Sequence, residues 1–464
     1  SASPTVVRNG NNWYVVLPSG PTSDLPGGRP DPLYGYRAYD GISTQNARLI
    51  VLDALTGQYA RARDRDPGST ATPDPLTASE ANSFFNGSFL PVANHLIKDA
   101  SGGTQAWSHH AVYLGLTAKN SVGDVGSVYR LQMADANGTP LPVDSWRLAP
   151  FYRADKPITG AVNSTYDNVG NLWVVFGSGR IWSNLDQVPC GTNRSATGAA
   201  FEGCCDNHEQ YFFGLKEPLG ANGRMTFAEV GGPADKPIVD VSHTLIYGQS
   251  GVLAPPVSVP GAPEPVESYG ALYTNMIAKD SGGDPVVRGY KRKLESLWVL
   301  GINEPGVGKT RFEIVTTQPQ IDGLANGRSN TVFTSYLTND NVCNPVGDSF
   351  LNVIDTYTGL PHPEFLGYGG FEEGNQRAFT DSDGSSKLLD QSTGVKRSGK
   401  GLASEAWILK TGEGTVYGNT SFNSNRNRIY LPSDQSDRSA IVSWREVLDM
   451  GFSISEADLF NDLR

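Results

Sequence analysis

The sequence predicts an all-β fold, because short β-rich runs that end at a glycine recur along the chain and segments with helical periodicity are rare. Within each run, apolar residues alternate with others at period two, and the final glycine accepts the positive φ of a tight hairpin turn. The clearest runs cover residues 48–57, 126–138, 210–220 and 349–359. The predicted unit is therefore one antiparallel hairpin, copied along the chain.

A lone hairpin cannot bury its apolar face, so we expect the copies to pack around an axis, as the blades of a propeller do. We therefore predict a modified β-propeller of about six to eight irregular four-stranded blades with long loops. The length of 464 residues allows this ring to be a single domain over residues 1–464.

Further strand-like runs, enriched in β-branched and aromatic residues, lie between these hairpins. We take the following residues of these runs as equivalent points of the repeat: Trp13, Val112, Trp173, Trp298, Val332 and Val416. Helical patterns are limited to residues 77–85 and 444–450. The irregular spacing predicts long loops, where binding function usually resides. These loops cover residues 18–47, 57–84, 188–209, 248–288 and 365–405.

The composition indicates a compact, acidic protein. The formal net charge of −11 repels nucleic acid and anionic lipid, so neither is a predicted partner. Hydrophobic residues make up 38% of the chain and can supply a core. No apolar stretch approaches the roughly 18 residues that cross a bilayer, so no membrane insertion is predicted.

Cysteine usage predicts an oxidising compartment. The four cysteines are Cys190, Cys204, Cys205 and Cys343, and their spacing matches no zinc or haem signature. We therefore predict disulfide bonds, with the pairing left open between Cys190 and either member of the adjacent pair, and with Cys343 taking the remaining thiol. The alternative is four buried free thiols in a cytosolic protein.

Several passages of the chain carry distinctive motifs. One begins at Lys156, reads KPITGAVNSTYDNVGNLWVVFGSGRIW, and leads from a Pro-Ile-Thr strand to a Gly-Ser-Gly-Arg turn. The others are residues 4–21, the Tyr-x-Gly of residues 113–115 with the GSVYRL of residues 126–131, and residues 210–216, 333–359 and 443–446. Together, and in their order along the chain, they resemble the PilC/PilY family of type IV pilus tip-associated adhesins.

This resemblance implies a non-enzymatic, extracellular protein at the tip or surface of type IV pili, exported through the periplasm and active in cell adhesion and pilus biogenesis. The implied partners are pilins or minor pilins and a surface or host ligand. It also implies that the chain is the C-terminal part of a longer protein. The family's calcium loop before the Tyr-x-Gly strand is reduced here to Asn94, Asp99 and Ser101, and no Arg-Gly-Asp tripeptide is present.

A partial calcium loop occurs later in the chain. Its oxygen-bearing residues are Asp381, Asp383, Ser385 and Asp390. The turn lacks the bidentate acid of a complete loop, and Lys387 stands where a carbonyl ligand is usual, so an ordinary Asp/Gly turn is the favoured alternative. No other cofactor is predicted. The similar segments 98–103 and 279–284 predict solvated hairpin tips.

Two other classes of function stay open. The second class is the quinoprotein dehydrogenases, which are propellers that bind pyrroloquinoline quinone. The chain resembles them in its adjacent Cys204 and Cys205 and in its Asp-x-x-Thr-Gly turns at residues 53–57 and 355–359. Those enzymes place a docking tryptophan after most such turns, and it is missing here. No Gly-x-Ser-x-Gly elbow, phosphate loop or H-E-x-x-H motif is present, so the sequence favours a binding protein. The third class is a generic extracellular propeller that binds glycan or protein.

Overall fold

The structure is a computed structural model, and the residues that it describes are mostly β-strand with very little helix. The described residues are 3–20, 24–25, 29–30, 43–61, 75–92, 108–119, 124–135, 137–181, 210–220, 225–294, 313–324, 327–337, 347–363, 376–380, 385–392, 394–400, 402–411, 414–419 and 427–432. Their strands form several small sheets, in which neighbours are antiparallel with one exception among the described pairs. The all-β prediction is confirmed at this level.

Two four-stranded antiparallel meanders come first in the chain. Sheet A consists, in spatial order, of β1 (Thr5–Asn9), β2 (Asn12–Pro18), β5 (Arg48–Asp53) and β6 (Leu76–Thr77). A short ribbon of β3 (Asp24–Leu25) and β4 (Arg29–Pro30) comes between β2 and β5 in the chain. Sheet B consists of β7 (Ser83–Val92), β8 (Ala111–Lys119), β9 (Asp124–Gln132) and β10 (Arg147–Arg153), with a 3-10 turn at Val143–Ser145.

Two larger sheets repeat the same meander with one strand added to each. Sheet C contains β11 (Asn163–Tyr166), β12 (Leu172–Gly177), β13 (Tyr211–Lys216) and β18 (Gly289–Lys293), and β14 (Ile238–Asp240) pairs in parallel with β18. Sheet D contains β20 (Gln320–Gly323), β21 (Ser329–Leu337), β22 (Asp348–Asp355) and β25 (Val395–Lys400), and β19 (Glu313–Ile314) also pairs with β21.

The remaining strands form two further sheets. Sheet E consists of β26 (Trp407–Thr411), β27 (Gly414–Asn419) and β28 (Asn427–Pro432). The accessory sheet consists of β17 (Val266–Ser268), β16 (Val252–Val257), β15 (Leu245–Tyr247), β24 (Ser386–Ser392) and β23 (Gln376–Thr380). Helix α1 (Tyr269–Ile277) directly follows β17.

The repeat seen in the sequence is real, but its unit is larger than a hairpin. The four clearest runs contain β5, β9, β13 and β22, and each of these is the third strand of its meander. The residues taken as equivalent points lie on the second strands, except for Trp298, which is outside the described residues. The unit is therefore a four-stranded meander, because an isolated two-stranded hairpin is only marginally stable and further strands pair with its edges.

Neighbouring sheets touch through their first strands in chain order. β1 contacts β7, β7 contacts β11, β11 contacts β20, and β20 contacts β26. Apolar faces pack between the successive sheets, for example Val7 and Leu49 of sheet A against Leu114 and Leu131 of sheet B. Sheets A to E are therefore arranged in chain order, and the first strand of each sheet contacts the first strand of the next sheet.

The accessory sheet is assembled from two insertions. Its strands β15 to β17 come from the connection between β13 and β18 of sheet C, and β23 and β24 come from the connection between β22 and β25 of sheet D. Both connections join the third strand of a meander to the fourth. The segments 248–288 and 365–405, predicted as loops, therefore contain strands and a helix in their described parts, which corrects that prediction.

Helix prediction from the sequence was wrong in the described part of the chain. Residues 77–85 contain the end of β6, a turn and the start of β7, and Asn82 in this turn has a φ of 53°, which a helix does not accept. The second predicted helix, 444–450, lies outside the described residues. Helix α1, which was not predicted, begins at the N-cap Ser268. Within the described residues, no helix is long and apolar enough to span a bilayer.

Candidate functional site

Three of the passages that resemble the pilus-tip family meet between sheets B and C: residues 113–115, residues 126–131 and the passage that begins at Lys156. Ile158, from the Pro-Ile-Thr passage, is fully buried. A Cβ atom at Gly115 would lie 2.9 Å from the Cγ2 of Ile158, and one at Gly126 would lie 2.7 Å from its nitrogen. The glycines of the Tyr-x-Gly and GSVYRL motifs are therefore required by close packing of the Ile158 main chain against sheet B.

The Gly-Ser-Gly-Arg turn runs along the same passage. The Gly179 N–H donates to the Pro157 carbonyl at 2.8 Å, and the Thr159 hydroxyl donates to the Gly179 carbonyl at 2.6 Å. On the other side of the turn, the Ser178 carbonyl accepts a hydrogen bond from the Val315 N–H at 2.9 Å. This turn therefore joins sheet C to the segment that follows β19 of sheet D.

A buried ion pair connects the GSVYRL motif to the residue that follows the motif at residues 210–216. Arg130 of GSVYRL pairs with Glu217, which directly follows β13, and both side chains are fully buried. The Tyr113 hydroxyl donates to the second carboxylate oxygen, and Arg130 also donates to the Ala228 carbonyl at 2.7 Å. Burial raises the pKa of Glu217, and the positive charge of Arg130 opposes that rise. These motif residues hold the sheets together, and the functional surface has to be sought elsewhere.

The two Asp-x-x-Thr-Gly segments form the same turn. In the first, Oδ1 of Asp53 accepts the N–H groups of Leu55 and Thr56 at 3.0 and 2.8 Å. In the second, Oδ1 of Asp355 accepts the N–H groups two and three residues later, both at 2.9 Å. The closing glycine has φ of +69° in the first turn and +71° in the second. The motif thus encodes an Asx-type turn after a third strand.

The surroundings of the two turns differ strongly. Leu55 of the first turn is 87% exposed, whereas all residues of the second turn are buried. Hydrogen bonds from Thr56 are the main cause that lowers the pKa of Asp53, whereas burial raises the pKa of Asp355. We call the second turn, residues 355–359, the covered turn.

Helix α1 and two loop residues surround the covered turn. The Tyr273 ring lies 6.0 Å from the ring of Tyr357, which belongs to the turn. The Arg328 guanidinium lies over the rings of Tyr273 and Tyr269, at 4.7 and 5.7 Å from their centroids. An Nη1 atom of Arg328 is 2.5 Å from Nε2 of His362. Residues from the sheet C insertion and from sheet D therefore converge on this turn.

The covered turn places a carboxyl group under an aromatic layer. Burial is the main cause that raises the pKa of Tyr269, and the negative charge of Asp355 raises it further. Tyr269 therefore keeps its proton at neutral pH and can donate a hydrogen bond. Arg328 lowers the pKa of the same tyrosine and offsets part of the negative charge.

Lys216 extends this cluster into the core of sheet C. Its amine is fully buried and lies 5.0 Å from the Trp173 ring, which is 5.5 Å from the Tyr357 ring. The amine donates to the carbonyls of Met276 and Val287, at 3.1 Å in the case of Val287. Burial lowers the pKa of Lys216 to about 7. Lys216 thereby fastens the last turn of helix α1 and the residue two positions before β18.

The cluster can stack planar groups and donate hydrogen bonds, and this chemistry suits binding and positioning. Arg328 is its half-buried member, whereas the two tyrosines of helix α1 and His362 are buried. No group of three or more His, Cys, Asp or Glu side chains within the described residues is arranged to hold a metal ion.

The calcium prediction is not tested by the described residues. Asp381 and Asp383 lie outside them, while Ser385 precedes β24 and Asp390 lies within it. Both described residues are exposed, and the Asp390 carbonyl accepts the Gly248 N–H at 2.9 Å. The cysteines Cys190, Cys204, Cys205 and Cys343 also lie outside the described residues, so the disulfides stay a prediction.

The hairpin tip predicted at residues 279–284 is confirmed. Oδ1 of Asp280 accepts the N–H groups of Gly282 and Asp284 at 2.9 and 3.0 Å, and these residues are exposed. Its partner segment, residues 98–103, lies outside the described residues. His109 accepts the Arg8 N–H on Nδ1 at 3.0 Å, and burial lowers its pKa, so this histidine has a packing role.

Sequence reasoning missed the residues around the covered turn, although two signals were present. Ser268 followed by apolar residues at helical spacing, Tyr269, Leu272, Tyr273, Met276 and Ile277, predicts a short amphipathic helix. Lys216 ends a strand of buried residues, where a lysine needs specific partners. Arg328 and His362 lie in connections without a comparable pattern.

Comparisons with known proteins do not identify a family. A scan against protein-family models and a search of curated proteins both found no match. Among solved structures, the chain is similar to the crystal structure of a GH43_12 retrieved from capybara gut metagenome, at 10% sequence identity and a TM-score of 0.19, covering 93% of this chain and 68% of that one. A TM-score this low supports no conclusion about fold or function.

Proposed function

We propose that residues 1–464 form a single modified β-propeller of about six to eight blades, with sheets A to E as blades. The support is the repeated four-stranded meander and the contacts of first strands in chain order. In a propeller, the innermost strands meet around the axis, and the connections from third to fourth strands project from one end. The accessory sheet is built from two such connections, so it belongs at that end.

We further propose that this propeller is a non-enzymatic, extracellular protein of type IV pili, which acts in adhesion and pilus biogenesis. The observation that carries this proposal is the ordered set of motifs that resembles those of the PilC/PilY family. Three of these motifs pack against one another around Ile158, and Glu217, which directly follows a fourth motif, bonds to Tyr113 and Arg130 of two of them. Motif residues that contact one another support a scaffold similar to that of the family more strongly than separate short sequence matches do.

The proposed partners are pilins or minor pilins together with a surface or host ligand. Binding would use the face that carries the accessory sheet and the covered turn, since insertions on a rigid β scaffold commonly carry function. A glycan-binding or protein-binding propeller without a pilus would use the same face, so the partner has to be determined by experiment.

The test is co-purification with surface filaments. Filaments are sheared from the source cells, and the bound proteins are identified by mass spectrometry, with a pilin-deletion strain as the control. We expect enrichment of this chain with pilin and its loss in the deletion strain. Equal recovery from both strains would overturn the pilus role.

A further inference from the structure

The ribbon of β23 and β24 extends beyond the rest of the accessory sheet. Along one edge of β24, β15 pairs only with the last two residues, Gln391 and Ser392. The chain of β15 then turns away at Gly248, whose φ is +65°. The other edge of β24 pairs with β23. Within the described residues, the segment 386–389 of β24 therefore has a neighbouring strand on the β23 side alone.

The main chain of β24 shows which groups face the edge that β15 leaves. The Asp390 carbonyl accepts the Gly248 N–H at 2.9 Å, so the main chain of Asp390 points toward β15. In an antiparallel strand, the N–H and C=O groups of every second residue point to the same edge. The N–H and C=O groups of Leu388 and Ser386 therefore point to this edge too. Among the described residues, none bonds to these groups of Leu388 and Ser386. We call this stretch of β24 the free edge.

The side chains along the free edge lie in solvent. Leu388 is 62% exposed, and Ser386 and Asp390, which lie on the same face of the ribbon, are also exposed. A strand edge with unpaired N–H and C=O groups is a template for pairing with another chain. An exposed leucine at the centre of such an edge adds apolar contact to this template. The free edge therefore has the features of a site for strand addition.

The register of β24 defines the pattern that an incoming strand needs. Side chains alternate along a strand, so Leu388 lies on one face of the ribbon and Lys387 on the other. Arg377 of β23 pairs with Leu389, so it lies on the same face as Lys387, and both cationic residues are exposed. A strand that continues the line of β15, antiparallel to β24, favours an apolar residue opposite Leu388 and an acidic residue opposite Lys387.

We propose that the free edge binds an extended peptide segment of a partner protein, in which apolar and acidic residues alternate, and adds it to the accessory sheet as an antiparallel strand. This inference names the kind of partner for the binding face proposed above, so it rests on that binding role and is independent of the pilus assignment. Main-chain hydrogen bonds supply the affinity, and Leu388 and Lys387 select the two kinds of side chain.

The first test measures hydrogen–deuterium exchange of single amides in the full chain, without and with a synthetic peptide of alternating valine and glutamate residues. In the free chain, the amides of Leu388 and Ser386 should exchange nearly as fast as in an unfolded peptide, whereas β23 protects those of Leu389 and Lys387. The peptide should slow exchange at Leu388 and Ser386 several-fold.

Three outcomes of this exchange experiment would overturn the proposal. Slow exchange of Leu388 and Ser386 in the free chain at every concentration would show that a segment of the same chain already occupies the free edge. Slow exchange that is lost on dilution would assign the edge to a second copy of the chain. Unchanged exchange at saturating peptide would show that the edge does not accept this strand.

The second test separates strand addition from contact with the leucine side chain alone. In the proposed register, the valine opposite Leu388 points its N–H toward β24, and the glutamate amides point away. N-methylation of the valine amides should therefore abolish binding, whereas N-methylation of the glutamate amides should be tolerated. Fluorescence anisotropy of the labelled peptides measures both affinities. Equal affinities of the two methylated peptides would contradict strand addition.

Two substitutions of Leu388 provide the matched comparison on the protein side. Leu388→Pro removes one donor from the free edge without removing a bond to β23, and it should weaken peptide binding about tenfold. Leu388→Ala keeps the donor and should weaken binding less. Protected amides of Leu389 and Lys387 report that the ribbon is intact in each variant, and equal losses in the two variants would overturn the proposal. Peptide binding together with a negative filament result would leave strand addition in place and remove only the pilus role.

Discussion

Lys216 shows what a single buried charge does to this fold. Its pKa is lowered from 10.5 to about 7 because burial disfavours the ammonium form. Between these two pH values, the unfolded chain binds a proton that the folded chain does not bind. The stability that depends on Lys216 therefore rises with pH across this window and has no slope below it.

We predict that Lys216→Met removes this part of the pH dependence. The urea midpoint of the native protein should rise between about pH 7 and about pH 10, and the rise should be smaller in the variant. Lys291→Met, on neighbouring strand β18, is the control, because the Lys291 side chain is 37% exposed. An identical rise in the native protein and in Lys216→Met would show that the amine is hydrated.

The two Asp-x-x-Thr-Gly turns show how one element behaves in two environments. Asp355→Ala leaves two buried N–H groups without their acceptor, and we predict a loss of about 2–4 kcal/mol in unfolding free energy. Asp53→Ala breaks the same bonds in water, which replaces them, so its effect should be clearly smaller. Asp355→Asn keeps the acceptor and removes the charge, so it should lose less than Asp355→Ala. Urea unfolding of the three variants checks this order, and equal losses for both alanine variants would contradict it.

At the scale of elements, the sequence predicted strands better than their grouping. Alternation and closing glycines located β5, β9, β13 and β22, because both signals are local. The fourth strands could not be assigned, since β18 and β25 are separated from their third strands by insertions. The accessory sheet joins two such insertions, and pairing between segments so distant in the chain leaves no periodic signal in either of them.

The compartment of the whole molecule can be tested through its thiols. We predict that Cys190, Cys204, Cys205 and Cys343 resist alkylation in the native and in the urea-unfolded chain until a reductant is added. Peptide mapping without reduction would then define the pairing. Four thiols that become alkylated in urea without a reductant would contradict the extracellular location.

The cohesion of the whole molecule depends on junctions between sheets, and the Arg130–Glu217 pair offers the sharpest test of one. Arg130→Met leaves the Glu217 carboxylate buried without its cation, and we predict a loss of about 3–5 kcal/mol. Adding Glu217→Gln removes the charge while it keeps an acceptor for the Tyr113 hydroxyl, so the double variant should regain much of this loss. Arg153→Met is the control, because its ion pairs with Glu80 and Glu229 are partly exposed, and it should cost less than about 1 kcal/mol. Urea unfolding of the three variants measures these losses. If the double variant were as unstable as Arg130→Met, packing of the arginine stem rather than its charge would hold sheets B and C together.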